Sequence, residues 1–299
     1  MSFSPSFEAP IESVVVETAL MENVMERTMA VHNLGGLVAW AGRSGSGKST
    51  TARLMVHRIN KSARSSTFGF SAVHYEVGPI MAEEDRSMVL AIKSLYGATV
   101  GRPPEYLFRK ATADALALTL VQGLRSRNIR MIFVDEAGLL STGAIRGIVL
   151  AIDTAENESW PVTAVLIGMD ELPVTLQRVP QTQRRVRDWC YFRPMDGGEL
   201  ARLVVAVWPT ISQELKPGTD LTDFVDALQE RFGNVPGTIA PALHQLRSWA
   251  RRQALEIDTE LVSAMAAVIA EDRASAKGEP GSGDSRPPVV DPLEVYAGA

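Results

Sequence analysis

The apolar residues of this chain follow two alternating patterns over its first two thirds. Short runs of consecutive apolar residues predict buried parallel strands, and the longer segments between them repeat apolar residues at helical spacing. The five predicted strands cover residues 37–41, 72–77, 131–134, 162–167 and 189–192. The longer helical segments predicted between them cover residues 51–59, 84–95, 105–125 and 142–155. Strands that alternate with helices favour an α/β core with a parallel five-stranded sheet.

The pattern changes after residue 195, where the apolar runs stop and amphipathic helices follow. Those helices are predicted at residues 198–207, 221–232, 239–255 and 259–274. We therefore predict four segments: an N-terminal lead-in and helix (1–34), an α/β core (35–195), a small all-helical domain (196–274) and a tail (275–299). The tail is rich in Gly, Pro and Ser, a composition typical of disordered segments.

The composition narrows the class of protein. Apolar residues make up 45% and charged residues 22% of the chain, as in ordinary soluble domains. The sequence shows neither a signal-peptide pattern nor an apolar run of the roughly 20 residues that span a bilayer. The one cysteine, Cys190, excludes an internal disulfide and fits a reducing compartment. We therefore expect a cytoplasmic protein with no membrane contact. The net charge of −5 provides no overall attraction for nucleic acid, so DNA binding requires a local basic patch.

Residues 42–49 read Gly-Arg-Ser-Gly-Ser-Gly-Lys-Ser, a full match to the phosphate-loop pattern G-x-x-x-x-G-K-[ST]. The glycines let successive backbone N–H groups face phosphate oxygens, and the helix that follows adds its positive end. The predicted nucleotide-binding residues are Gly42, Arg43, Ser44, Gly45, Ser46, Gly47, Lys48, Ser49 and Thr50. Among them, Lys48 is predicted to contact the β- and γ-phosphates and Ser49 to bind Mg²⁺.

A second chemical signal follows the third predicted strand, whose apolar run ends in Asp135 and Glu136. Parallel sheets bind ligands at the carboxyl ends of their strands. We predict that Asp135 holds Mg²⁺ through water and that Glu136 polarises the attacking water, although two acids can also end a strand at an exposed turn. The guanine-reading pattern N-K-x-D occurs only as Asn-Lys-Ser-Ala at residues 60–63, which lacks the acid. ATP is therefore the expected nucleotide.

In their order along the chain, these motifs resemble those of AAA+ ATPases. The resemblance is carried by segments 42–51, 133–137, 165–172, 183–186 and 194–200. More narrowly, residues 17–255 resemble the transposition-regulator ATPases of the TniB, TnsC and Mu B type, with ExeA-like ATPases as relatives. The resemblance implies a P-loop AAA+ core and identifies the C-terminal helices as its lid domain.

Proteins of this type bind ATP between subunits, form rings or filaments on duplex DNA and recruit or activate a transposase. The resemblance thus implies an ATP-dependent transposition regulator. Its partners would be itself, double-stranded DNA of any sequence and a transposase, with a target-selection adaptor as a further candidate. By position, Arg185 corresponds to the arginine finger that reaches a neighbour's γ-phosphate, so the catalytic set is Glu136, Lys48 and Arg185. Arg184 is the alternative finger, and both arginines can also lie on a solvated helix end.

Two departures from the family pattern bear on the rate of hydrolysis. The sensor position after the fourth strand offers only Asp170 or a backbone group. Residues 237–240 of the lid contain no arginine, and Arg247, two turns further on, is a weak substitute. We therefore expect slow ATP hydrolysis that DNA or a partner stimulates.

The family's DNA contacts come largely from the region between the second strand and the acidic pair. The candidate DNA contacts in this region are Lys93, Arg102, Arg109 and Lys110. Their phosphate contacts would be independent of sequence and sensitive to salt, although each can also be an ordinary solvated charge. A second basic face is predicted on a lid helix, from Arg247, Arg251 and Arg252.

Two other functions stay open. One is an AAA+ signalling or secretion ATPase that acts on protein partners without DNA. The other is a monomeric phosphotransferase, against which the lid and the candidate finger argue. The four histidines are scattered and are interpreted as structural: His32, His57, His74 and His244.

Overall fold

The computed structural model describes residues 16–64, 69–78, 88–101 and 111–277. The strands are β1 (Gly36–Gly42), β2 (Ser71–Glu76), β3 (Ile129–Asp135), β4 (Thr163–Gly168) and β5 (Val186–Phe192). The helices are α1 (Ala19–Val31), α2 (Lys48–Arg64), α3 (Met88–Thr99), α4 (Ala113–Ser126), α5 (Thr142–Asn157), α6 (Leu172–Gln177), α7 (Pro180–Arg185), α8 (Gly197–Val207), α9 (Ile211–Glu214), α10 (Leu221–Phe232), α11 (Pro236–Gln253) and α12 (Thr259–Lys277). The chain divides into two compact units, one of which is Glu17–Arg193. The other comprises the described residues from Pro194 on, together with Val16.

The first unit is built on a five-stranded sheet with the strand order β2-β3-β4-β1-β5, in which every neighbouring pair is parallel. The prediction of an α/β fold with a parallel five-stranded sheet and flanking helices is confirmed. Strands β1 and β4 are buried along their whole length because both have neighbours on two sides and helices on two faces. This burial explains why their sequences are continuous apolar runs.

Apolar side chains pack on both faces of this sheet. On one face, β-strand residues pack with helices α3, α4 and α5, represented by Ile92, Leu120 and Ile148. On the other face, helices α1 and α2 cover a cluster centred on Trp40, which is fully buried and donates its indole N–H to the Thr28 hydroxyl at 3.1 Å. The indole hydrogen bond satisfies the polar end of a side chain that otherwise lies among apolar residues.

Some predicted boundaries are wrong for identifiable reasons. Helix α4 begins at Ala113 rather than at residue 105, because Thr112 is extended and its hydroxyl accepts a hydrogen bond from the Ala115 N–H, which makes Thr112 the cap of the helix. Residues 105–110 of that prediction, and residues 84–87 of the helix predicted at 84–95, lie outside the described residues. Helix α2 begins at Lys48, inside the phosphate loop, rather than at residue 51.

The second unit is helical and has its own core. Helices α8 to α12 enclose large side chains that include Leu200, Trp208, Phe224 and Leu243. Helix α8 begins with a capping box in which Asp196 and Glu199 each accept a hydrogen bond from the other's backbone N–H. The helical character of this second unit agrees with the lid domain predicted from the sequence. Within the described ranges of both units, every helix is too short or too polar to cross a membrane.

Candidate nucleotide site

The phosphate loop connects β1 to α2 at the end of the sheet where the strands terminate, here called the carboxyl edge (the phosphate loop, Asp135 and Glu136). Two of its glycines are needed for their backbone. Gly42 has a φ of +156°, and a Cβ there would lie 2.6 Å from the Phe192 carbonyl oxygen. Gly47 has a φ of +94° with no atom within 4 Å of an added Cβ, so its lack of a side chain leaves the loop open on that side. An open, glycine-lined backbone turn is what close approach of a polyphosphate requires.

Lys48 is the buried cation of this loop. Its side-chain Nζ donates to the carbonyl oxygens of Gly42 and Arg43, each at 2.7 Å, and to the Ser46 hydroxyl at 3.3 Å. Burial lowers the pKa of Lys48, while the charges of Asp135 and Glu136 oppose that change. An ammonium that lies on carbonyl oxygens can transfer the same donors to phosphate oxygens. Lys48 therefore fits the phosphate-binding role that the motif predicts.

Asp135 is the last residue of β3, and its carboxylate accepts hydrogen bonds from several neighbouring groups. Its Oδ1 accepts from the Glu136 backbone N–H at 3.0 Å, and its Oδ2 lies 3.1 Å from His74 Nε2. Burial alone raises the pKa of Asp135, but hydrogen bonds from His74, the Ser49 side chain and Glu136 outweigh it and hold the pKa below its usual value. The carboxylate thus stays charged, and it lies within hydrogen-bond reach of Ser49. A hydroxyl beside a carboxylate is a ligand pair suited to Mg²⁺.

Glu136 differs from Asp135 in exposure and backbone. Its φ and ψ of 57° and 33° place it in the left-handed region, which is uncommon for a residue with a side chain and costs about 1 kcal/mol or more. The side chain is exposed, and it accepts no hydrogen bond from the part of the chain that the structure describes. A carboxylate held in this way at the carboxyl edge has a free lone pair to offer a water molecule. This arrangement suits the predicted water-polarising role.

Arg185, the candidate finger, lies at the opposite end of the sheet, here called the amino edge (the strand starts, with Arg125, Arg130, Trp160 and Arg185). It immediately precedes β5, whose first residue pairs with Leu37 at the start of β1. The seven residues of β1 span about 20 Å, from the amino edge near Leu37 to the phosphate loop. Arg185 therefore lies too far away to reach the phosphate loop of its own chain.

Within its own chain, Arg185 forms two ion pairs with helix α5. Its Nη2 lies 2.9 Å from Asp153 Oδ1, and its Nη1 lies 2.8 Å from Glu156 Oε2. Arg184, the alternative finger, is exposed and forms no ion pair or hydrogen bond with a side chain of the described ranges.

Arg102, Arg109 and Lys110 lie outside the described residues, whereas Lys93 is half-buried on α3 and already has an interaction partner. On the predicted lid face, the Arg247 guanidinium lies 5.8 Å from the Trp208 ring centre, and Arg251 lies 3.9 Å from Glu214. The basic face on α11 is therefore partly engaged inside its own unit.

His74 is the residue of the site that sequence reasoning missed. Its isolated position among the scattered histidines indicates a structural role, yet its side chain contacts the predicted Mg²⁺ ligand Asp135. Strand β2 pairs with β3 so that His74 lies beside Phe133, two residues before Asp135 and on the same face. A polar residue inside an apolar strand was the available signal, but only the strand order shows that β2 and β3 are neighbours.

Comparison with known proteins agrees with this geometry. Residues 32–176 match the family model described as AAA domain. Among solved structures, the Aeropyrum pernix ORC2 protein (ADPNP-ADP complexes) has a TM-score of 0.57 at 17% identity, with 82% of this chain and 64% of that chain covered. The A. pernix ORC1 protein in complex with DNA has a TM-score of 0.60 at 20% identity, with 91% and 70% covered. A Thermotoga maritima RuvB structure has a TM-score of 0.55 at 13% identity, with 85% and 70% covered.

These likenesses establish the AAA+ P-loop fold. At such low identity they carry the fold alone, and the chain spans only 64% of the length of the ORC2 structure. No curated protein matches the chain. The matched AAA domain contains both the phosphate loop and the acidic pair that ends β3.

Proposed function

Because the chain carries an AAA domain and is accordingly an ATPase whose cofactors are ATP and Mg²⁺, we propose that it uses ATP to assemble with further copies of itself on duplex DNA. In this proposal the assembly regulates transposition by recruiting or activating a transposase, with or without a target-selection adaptor. The DNA contact does not depend on base sequence.

The observation that carries the proposal is the separation between Arg185 and the phosphate loop. The two lie at opposite edges of one sheet, about 20 Å apart, and the sequence resemblance assigns the arginine the role of a finger. An arginine at the amino edge can serve an ATP site only in another copy of the chain. Its ion pairs with Asp153 and Glu156 are partly exposed, and such pairs contribute only about 0–1 kcal/mol each. Exchange of these pairs for a neighbour's phosphate therefore costs little.

Within one copy, the residues of the carboxyl edge bind and orient the nucleotide. Lys48 and the loop N–H groups hold the phosphates, while Ser49 and Asp135 hold the metal ion. Bound Mg·ATP supplies the phosphoryl group and the positive charge that stabilises its transfer. Glu136 accepts a hydrogen bond from the attacking water and orients it. Arg185 of a second copy stabilises the negative charge that develops during transfer.

The same arrangement accounts for slow hydrolysis by an isolated chain. Neither Asp170 nor residues 237–240 provide a cationic side chain for the γ-phosphate. Arg185 is paired with its own helix α5 and is remote from its own site. Hydrolysis then depends on a neighbour, and anything that brings copies together, such as DNA, stimulates it.

Support for DNA as the partner comes from two directions. The sequence resembles transposition regulators at residues 165–172 and 183–186. The fold is shared with the A. pernix ORC1 protein, which was solved in complex with DNA. The net charge of −5 gives no overall attraction for DNA, so DNA binding requires a local basic patch. The alternative is a signalling or secretion ATPase that acts on protein partners.

Electron microscopy of negatively stained protein tests the proposal. The chain is imaged with a non-hydrolysable ATP analogue and Mg²⁺, with and without duplex DNA, beside the Lys48→Ala variant. Rings or filaments of the wild-type chain that need both ligands, and that the variant does not form, are expected. Single copies under every condition would contradict the proposal. Assembly that needs nucleotide but ignores DNA would favour the protein-partner alternative.

A further inference from the structure

Three arginines lie close together in sequence at the amino edge of the sheet. Arg125 is in the last turn of α4, Arg127 follows that helix, and Arg130 is the second residue of β3. Arg125 and Arg127 are exposed, and Arg130 is half-buried. Strand β3 separates them from Asp135, which lies at its other end, so this cluster is distinct from the nucleotide site.

A tryptophan organises two of these arginines. The guanidinium carbons of Arg130 and Arg125 lie 4.2 Å and 5.8 Å from the centre of the Trp160 ring. The ring is fixed in turn, because its Nε1–H donates to the Ile129 carbonyl at 3.2 Å and its backbone N–H donates to the Ala155 carbonyl at 2.9 Å. A guanidinium that packs against an aromatic ring keeps the N–H groups along its edge available for an anion.

The cluster has no counter-charge in the part of the chain that the structure describes. None of Arg125, Arg127 and Arg130 forms an ion pair there. Two carboxylates lie near Trp160 in sequence, but Glu156 pairs with Arg185 and Glu158 pairs with none of the three arginines. These three arginines, none of them in an ion pair with a described residue, concentrate positive charge within six residues of a chain whose net charge is −5.

We propose that Arg125, Arg127 and Arg130, with Trp160 as their support, bind the phosphate backbone of nucleic acid. This inference rests on the proposed DNA-dependent function and assigns a surface to it. The planar arginine fork matches two phosphate oxygens at once, and a duplex presents phosphates at regular intervals. An acidic protein surface is the weaker candidate, since its carboxylates lack the regular spacing of the phosphates along a duplex.

The test compares two variants that lose the same charge. One is R125Q/R127Q/R130Q. Its control is R178Q/R202Q/R231Q, which removes three exposed arginines outside the cluster that form no ion pair within the described ranges. Binding of a fluorescent duplex of arbitrary sequence is measured by anisotropy, with the non-hydrolysable ATP analogue, over a series of KCl concentrations.

We expect the cluster variant to bind about tenfold or more weakly and to lose about 2 to 3 from the slope of log affinity against log salt, because each phosphate contact contributes about 0.9. The control variant is expected to lose less affinity for the duplex, and less of the salt slope, than the cluster variant. Normal binding of a fluorescent ATP analogue would show that the cluster variant is folded. Should the triple variant not fold, Arg127→Gln alone is expected to reduce the slope by about 1.

The possible outcomes separate the two proposals. Wild-type binding that the cluster variant retains with the same salt slope would overturn this inference and leave the proposed function intact. Wild-type protein that binds no duplex would contradict both. If the wild-type chain self-associates with nucleotide alone and the cluster variant does not, the arginines belong to a protein interface and the nucleic-acid assignment is wrong.

Discussion

At the carboxyl edge of the sheet, the two buried charged side chains, Lys48 and Asp135, already have partners within the chain. Lys48 donates to the loop carbonyls, and Asp135 is surrounded by donors that include His74. At the amino edge, Arg130 packs against an aromatic ring and forms no ion pair with a described residue, and Arg185 forms ion pairs with carboxylates that are themselves partly exposed. The first edge is thus arranged before any ligand arrives. The second holds positive charge whose partners are either easily exchanged or missing from the described part of the chain.

The difference indicates where the protein needs a second molecule. Side chains that are fixed by internal hydrogen bonds can orient a ligand without further rearrangement, which is the condition for efficient electrostatic catalysis. Arginines without strong internal partners gain most from an external anion. We infer that the carboxyl edge can bind nucleotide in a single copy, whereas the amino edge acts only when DNA or another copy is present.

Replacement of Arg185 by alanine tests the amino edge with the largest expected effect. If Arg185 serves a neighbour's ATP, the variant should lower the hydrolysis rate of the assembled protein by about 10³-fold or more, as loss of an arginine finger does. ATP binding should persist, because the phosphate loop lies at the other edge. The measurement is steady-state phosphate release at protein concentrations where assembly is complete.

Arg184→Ala is the matched control for that prediction. It removes an adjacent exposed arginine of the same helix. If Arg184→Ala abolished ATP hydrolysis while Arg185→Ala hydrolysed ATP at the normal rate, Arg184 would be the arginine finger. In Arg185→Ala, loss of the two ion pairs should lower the free energy of unfolding by at most about 2 kcal/mol, so a large rate effect cannot be attributed to instability.

Replacement of Glu136 by glutamine tests the carboxyl edge. The amide keeps the size of the side chain but is a poor proton acceptor, so hydrolysis should fall by about 10²-fold or more. Binding of a fluorescent ATP analogue should be unchanged, and assembly with ATP should become longer-lived. Mixing this variant with Arg185→Ala sharpens the comparison. Mixed assemblies contain interfaces with an intact glutamate and an intact arginine, so partial recovery of activity is expected only if the two residues act across copies.

His74→Phe is expected to have a smaller effect on the same edge. The phenyl ring fills similar space but donates no hydrogen bond to Asp135, and loss of such an outer-shell partner typically lowers metal affinity by about 10- to 100-fold. The Mg²⁺ concentration that gives half-maximal binding of the ATP analogue should rise accordingly. His74→Asn, which retains a donor, should recover part of the loss.

The exposed His57 on α2 provides the control for that change. His57→Phe should leave the Mg²⁺ dependence unchanged. Equal Mg²⁺ dependence in wild type and His74→Phe would show that the hydrogen bond from His74 does not position Asp135.

Both edges differ in how far the sequence predicts them. The phosphate loop and the pair Asp135–Glu136 are local motifs, so their chemistry can be predicted from adjacent residues. The hydrogen bond from His74 depends on the pairing of β2 with β3, which no local pattern specifies. The amino-edge cluster joins α4, β3 and Trp160, which lies 30 residues after Arg130 in the sequence, so only the fold brings these side chains together. Strand β5 begins at Val186, three residues before the predicted start, because Arg187 and Asp188 interrupt the apolar run from which the strand was predicted.

Cys190 lies in β5, between the two edges, and provides the smallest expected effect. The side chain is fully buried, and burial raises the pKa of its thiol to about 12, with the nearby Asp188 acting in the same direction. At pH 8 the folded chain should therefore react with a thiol reagent far more slowly than the unfolded chain, because the thiolate is the reactive form. As the only cysteine, it reports on the sheet without interference. Variants of Arg185, Glu136 and His74 should all keep this protection, since each acts at an edge. Rapid labelling in any of them would mean that the substitution opens the sheet, and its functional loss would then say nothing about the edge it was designed to test.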